Sequence, residues 1–104
     1  MSSTKASLND TELTAVLNQQ AARISWAELQ PYFARGQVIV VQPGLDLITV
    51  GRELIRDNTA TFKAWTDAEQ VTGVSNEQAQ IWYDQNAELW ALVIAPWVLV
   101  QDRT

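Results

Sequence analysis

Between Gly36 and Pro43-Gly44 the chain reads Gln37-Val38-Ile39-Val40-Val41-Gln42, a β-branched run whose apolar residues follow one another without alternation. A strand with one wet face alternates apolar and polar side chains, whereas a continuous apolar strand is covered on both faces. This run therefore points to a central strand with other elements packed on each side of its sheet. Leu89 to Ala95 forms a second convincing run, and after Pro96-Trp97 the extended pattern resumes in Val98-Leu99-Val100-Gln101. Proline cannot donate to a ladder, so Pro96 marks a bend, a bulge or an edge. The closing Val98–Val100 segment is expected at a sheet edge. An exposed apolar edge must be covered or paired, which makes this segment a candidate surface for homodimerisation.

The helices announce themselves by their starts. Asn9 followed by Glu12 resembles a capping box, and Leu13, Val16, Leu17, Ala21 and Ile24 recur at three- and four-residue steps. Ser25-Trp26-Ala27-Glu28 is a second box, with Ile24 and Leu29 placed as the partners of a hydrophobic staple. The helix it opens is expected from Trp26 to about Ala34, with a kink or a restart at Pro31 and Gly36 closing it. Asp46 is placed as the N-cap of a third helix whose stripe runs Leu47, Gly51, Leu54, Asn58, Phe62 and Trp65. The polar Asp57-Asn58-Thr59 inside that stripe predicts a kink or two abutting helices. Val71–Val74 is a weak strand. Ser75-Asn76-Glu77-Gln78 opens a last helix, to about Asn86, carrying Ala79, Trp82 and Tyr83.

The resulting order is α-α-β-α-β-α-β-β. The expected fold is a mixed α/β (α+β) single domain with a three- or four-stranded sheet and about four helices. At 104 residues and 47% apolar composition the chain has room for one core, and it is too hydrophobic for a disordered segment. Residues 1–8 read as a flexible lead-in, 9–101 as the domain, and 102–104 as a polar tail. The lead-in has one positive charge and no apolar stretch, so no signal peptide is expected, and the cytoplasm is the expected location.

Composition also removes chemistries. The chain contains no histidine and no cysteine. Disulfides, thiolate nucleophiles, Cys or His zinc sites and the imidazole base of a Ser-His-Asp triad are thereby excluded. With 12 acidic and 7 basic residues the net charge is −5. The cations are scattered, so neither nucleic acid nor an anionic membrane is an expected partner. Only Arg52 and Arg56 share a helix face, as a solvated pair more readily than an anion site. Lys5 lies in the lead-in, Lys63 sits on a helix among Thr61, Phe62 and Ala64, and the 4 glycines form no phosphate-binding loop.

What remains is carboxylates and aromatics. Asp46 lies just past the carboxyl end of the Val38–Val41 strand and at a helix N-terminus. It is either a helix cap or, if that strand is parallel, a carboxylate orienting a small polar ligand or a hard metal. Glu53 with Asp57, and Asp84 with Glu88, stand four apart but lack a third partner, which leaves a carboxylate-based enzyme a distant third. No cofactor and no catalytic residue is expected. The 5 tryptophans are the unusual enrichment. Trp26, Trp65 and Trp90 are expected in the core or on its rim, while Trp82 with Tyr83, and Trp97 beside Pro96, are candidates for an exposed aromatic patch. The leading expectation is a non-catalytic module that binds a protein partner, or itself as a homodimer, through that patch.

Several segments together carry a resemblance. Ile24-Ser25-Trp26-x-x-Leu29, Val38–Val41 with Leu45-Asp46-Leu47-Ile48-x-Val50, Trp65, and Leu89-Trp90-Ala91-x-Val93-Ile94-x-Pro96-Trp97-Val98-Leu99-Val100-Gln101 resemble a small bacterial family of uncharacterised proteins. It is the domain of unknown function family numbered 2288, and the likeness runs from about Asp10 to Gln101. The resemblance implies a stand-alone bacterial cytoplasmic domain without an assigned activity, and it brings no catalytic residues with it.

Overall fold

Residues 8–102 are described by the computed structural model. Helix α1 (Asp10–Gln20) opens on the expected capping box. Asn9 Oδ1 accepts from the Glu12 N–H at 2.8 Å, and Glu12 Oε1 accepts from the Asn9 N–H at 3.1 Å. The helix stops at Ala21, and Ala22–Ser25 is an extended strand, β1. The helical stripe therefore ends earlier than its spacing implies, and Ile24 faces Leu89 across a sheet. Two constraints stop the helix. Ser25 must be extended (φ −69°, ψ 148°) to cap the next helix, and a distant strand supplies backbone partners for residues 22–25.

Helix α2 (Trp26–Ala34) follows, its Glu28 N–H donating to the Ser25 hydroxyl at 3.4 Å. It does not restart at Pro31; buried Trp26 and Leu29 anchor it, and one missing hydrogen bond is tolerated. Gly36, at φ 72°, closes the turn by donating to Phe33 O at 2.9 Å. Strand β2 (Val38–Val41) leads to α3 (Leu47–Ile55) and α4 (Thr59–Asp67). The expected break falls between these two helices, with Asp57 left-handed at φ 55° and Asn58 capping α4 through the Thr61 N–H. Strand β3 (Val71–Gly73), α5 (Asn76–Asp84), β4 (Glu88–Ile94) and β5 (Trp97–Gln101) complete the chain.

The described residues thus form five helices and five strands, one strand and one helix beyond the expectation. The additional strand is β1, and the additional helix comes from the break at residues 56–58. The strands lie in the order β1-β4-β5-β2-β3, with β2 parallel to β5 and all other pairs antiparallel. The expectation that Val98–Val100 lies at an edge is overturned: β5 is the middle strand, bonded to β4 on one side and β2 on the other. Its continuous apolar run is what a strand in that position requires.

Side chains leave the sheet alternately and feed two cores. On one face Leu92, Leu99 and Val41 pack with Leu13 and Leu17 of α1 and with Leu47, Ile48 and Val50 of α3; Phe62 and Trp65 of α4 close the margin. On the other, Leu89, Ala91, Val98, Val100 and Val38 pack against Trp26 and Leu29 of α2 and Ala79 and Trp82 of α5. Gln101 is the exception among the buried residues of β5, at 3% exposure. Its side-chain amide donates to Gln42 O at 2.9 Å and Leu45 O at 2.6 Å, fixing the loop that enters α3.

Helix α3 lies so close to β4 that Gly51 is the residue that fits. A Cβ at that position would stand 2.5 Å from Leu92 Cδ2, 3.6 Å from Leu17 Cδ1 and 3.7 Å from Ile94 Cδ1. Leu92 and Leu17 are fully buried and have little freedom to yield. Gly51→Val is expected to cost about 1–3 kcal/mol through overpacking. In a domain of this size that lowers the thermal unfolding midpoint by roughly 5–20 °C, measurable by circular dichroism.

Candidate interaction surface

The charged side chains singled out by the sequence hold the fold together. Arg56, the C-cap of α3, reaches across to α1, pairing with Asp10 at 2.8 Å and donating to Leu8 O at 2.9 Å. Arg52 pairs with Glu53 at 3.3 Å and donates to Thr14 Oγ1 at 3.4 Å. Glu53 in turn accepts from Asn58 Nδ2 at 2.8 Å, bracing the corner between α3 and α4. Glu53 and Asn58, with Leu54, Asp57, Thr59 and Phe62, line a shallow hollow of about 210 Å³. Asp84 accepts from Gln80 at 2.9 Å, and Glu88 pairs with Arg23 at 3.3 Å, so that pair too is divided between separate partners. Among the described residues no three acidic side chains gather into a group that could hold a metal ion.

Asp46 is the N-cap of α3, as one of its two readings has it. Its Oδ2 accepts from the Thr49 N–H at 3.0 Å and from the Thr49 hydroxyl at 2.9 Å. The carboxylate is folded back on its own helix. The strand before it is parallel to β5 but antiparallel to β3, so only one side of β2 forms the parallel pair that such a corner site needs.

The two aromatic neighbours on α5 part company. Trp82 is 2% exposed and stacks at a tilt on Trp26 (ring centroids 5.1 Å apart), which also meets Phe33 at 5.5 Å. Trp82 is therefore a core residue and not part of a surface patch. It joins Ala79, three residues earlier, on the face of α5 turned to the sheet. Among the described residues the buried Trp26 indole nitrogen meets no hydrogen-bond partner. Tyr83 is 57% exposed and lines an open groove of about 380 Å³ between α2 and α5, with Gln30, Phe33, Asn76 and Gln80.

Trp97 stands at the β4–β5 hairpin, opposite Ile94 and 37% exposed. Beside it is a residue that sequence reasoning missed: Val93, opposite Val98 and 50% exposed. Val98 is tied by its N–H to Gln37 O, and the Gln37 N–H donates to Tyr32 O, each at 2.9 Å. The exposed ring of Tyr32, under the guanidinium of Arg35, therefore belongs to the same end of the sheet. Val93 lies on the face of α2 and α5 and Trp97 on the opposite face, so the exposed apolar groups form a rim around the hairpin. Val93 has no local signature. A strand position becomes exposed only when neighbouring elements fall short of it, and that depends on distant segments.

Residues 12–102 match the family described as Protein of unknown function (DUF2288). The chain is also similar to PA1075 from Pseudomonas aeruginosa, known from its NMR solution structure. The two are 38% identical, with a TM-score of 0.78, over 94% of this chain and 91% of that one. No curated protein matches the chain. Among the described residues no helix is long and apolar enough to cross a membrane.

Substitutions separate these roles. Trp82→Ala is expected to cost about 3–5 kcal/mol, as for a core aromatic, whereas Tyr83→Ala stays within about 0.5 kcal/mol in urea unfolding. At the cap, Asp46→Ala should lose about 1 kcal/mol and Asp46→Asn almost nothing, since asparagine caps as well as aspartate. A loss equally large in Asp46→Asn would show that the charge itself is needed.

Proposed function

The chain belongs to the DUF2288 family, whose function is unknown, and from that premise we propose a non-catalytic interaction module. It binds another protein, or a second copy of itself, through the apolar rim at the β4–β5 hairpin. The observation that carries this reading is the exposure of Val93 and Trp97 within a stretch, Leu89–Gln101, that has no charged side chain. Interface centres are depleted of charge and enriched in aromatic residues, and a tryptophan there commonly supplies much of the binding energy. The rest of the molecule supports the same reading. The sequence has no imidazole or thiol, and several of its carboxylates are engaged locally: Asp46 in a helix cap, Asp10 in an ion pair with Arg56, and Glu53 with Arg52 and Asn58. A cytoplasmic setting in a bacterium fits a cysteine-free chain of this kind.

Trp97→Ala provides the test. The full chain and the variant are immobilised side by side, exposed to an extract of the source cells, and the captured proteins are identified by mass spectrometry. A partner retained by the wild type and by Tyr83→Ala, but lost by Trp97→Ala at an unchanged melting temperature, is the expected result. An identical capture profile for the wild type and Trp97→Ala rejects the rim as the binding surface.

A further inference from the structure

The sheet ends in β1 on one side and β3 on the other, and the two edges are guarded differently. The direction of each peptide group follows from alternation along the strands. The Trp26 N–H donates to Ala87 O, so Ile24 and Ala22 turn toward β4 and the outer edge of β1 falls to Arg23 and Ser25. Arg23 is a charged residue of the kind that keeps natural edges from pairing. On the far side the Gln42 N–H donates to Gln70 O at 2.9 Å, so Gln70 and Thr72 turn toward β2 while Val71 and Gly73 turn away from it. Among the described residues no hydrogen bond reaches the outward N–H and C=O groups of Val71 and Gly73. This edge has neither charge nor proline, and the chain is uncharged from Gln70 to Asn76. The elements packed most closely on β3 are β2, at its inner edge, and α4. Val71 is buried on the α4 face, and two residues on a Cβ at Gly73 would meet nothing within 4 Å.

We propose that a second copy of this chain closes the β3 edge, antiparallel, about a two-fold axis that passes between Thr72 and the partner's Thr72. The two five-stranded sheets then join into one. Three observations favour a second copy over a strand from another protein. First, the outward residues Val71 and Gly73 lie symmetrically about Thr72. The axis therefore sets Val71 against the partner's Gly73 and Gly73 against the partner's Val71. Each pair exchanges both of its bonds, which is the self-complementarity an isologous contact needs. Second, the packing is complementary as well. The space left open above Gly73 lies beside the partner's Val71, on the face that the partner's α4 covers. That helix is the one least buried in its own chain: alone among the five described, α4 has no buried residue. On the other face the two Thr72 side chains meet across a close, non-hydrogen-bonded pair, a favourable cross-strand contact. Third, the chain carries a net charge of −5, and Gln70–Asn76 is uncharged. Two like-charged copies meet with least repulsion where neither carries charge. This contact is distinct from the hairpin rim: β2 and β5 separate β3 from β4, so Trp97 and Val93 stay available to another partner.

The absence of native cysteine makes the test direct. Across a non-hydrogen-bonded antiparallel pair the Cα atoms are about 4.5 Å apart, within reach of a disulfide. Under mild oxidation the full chain carrying Thr72→Cys is expected to form a covalent dimer, and Tyr83→Cys to remain monomeric. In sedimentation velocity the wild type should dimerise at high micromolar concentration, and Trp97→Ala should dimerise equally well. Thr72→Lys, with an unchanged circular dichroism spectrum, should weaken the dimer by at least about tenfold, since it sets two like charges against each other at the axis. A wild-type chain that stays monomeric at about 1 mM overturns the inference. So does a dimer that persists in Thr72→Lys and is not trapped by Thr72→Cys, and its loss in Trp97→Ala would place the second copy on the hairpin rim instead.

Discussion

The structure hangs on one strand that is desolvated from four directions. β5 is bonded edge-on to β4 and to β2, and it is covered face-on by helices on both sides. Val98 and Val100 fill one core and Leu99 the other, each worth about 1.5–3 kcal/mol in buried apolar surface. No polar side chain could occupy those positions without a partner. The one that does, Gln101, has its amide hydrogens committed to two loop carbonyls. Its burial thus ties two carbonyls of the connection from β2 to α3, Leu45 O and Gln42 O, the second of which also accepts from the Leu45 N–H at 3.0 Å.

The local features were legible and the pairings were not. Asn9, Ser25, Asp46, Asn58 and Ser75 each accept a hydrogen bond from an N–H three residues on, within reach of a sequence motif. The starts of all five helices could be read or anticipated from them. β1 reads as part of the first helix because Ala21 and Ile24 continue its spacing, while the partner that makes it a strand lies more than sixty residues further along the chain. The place of β5 is hidden in the sequence for a related reason. A segment late in the sequence reads as peripheral, but its strand order is decided by which neighbours leave a gap.

The candidate surface was legible in part. Trp97 beside Pro96 was a reasonable candidate and is partly exposed. Trp82 and Tyr83 could not be distinguished by spacing, because both fall within one turn of Ala79 and only the packing of α5 on the sheet selects Trp82 as the inward ring. Val93 was invisible because it depends on β1 being shorter than β4. The charged residues show the converse: Arg52, Arg56, Glu53 and Asp57 read as a solvated face, yet Arg52 and Arg56 reach Thr14 and Asp10 of α1, and Glu53 braces the turn into α4 through Asn58.

The central position of the last strand also bears on synthesis. A ribosome releases β1, β2 and β3 long before β5, yet β2 with β3 and β1 with β4 share no strand until β5 arrives. The nascent chain can wind its capped helices early, but its two half-sheets stay separate until residues 97–101 clear the exit tunnel. The same topology that protects the middle of the sheet in the finished protein leaves its longest apolar edges bare while the chain is being made.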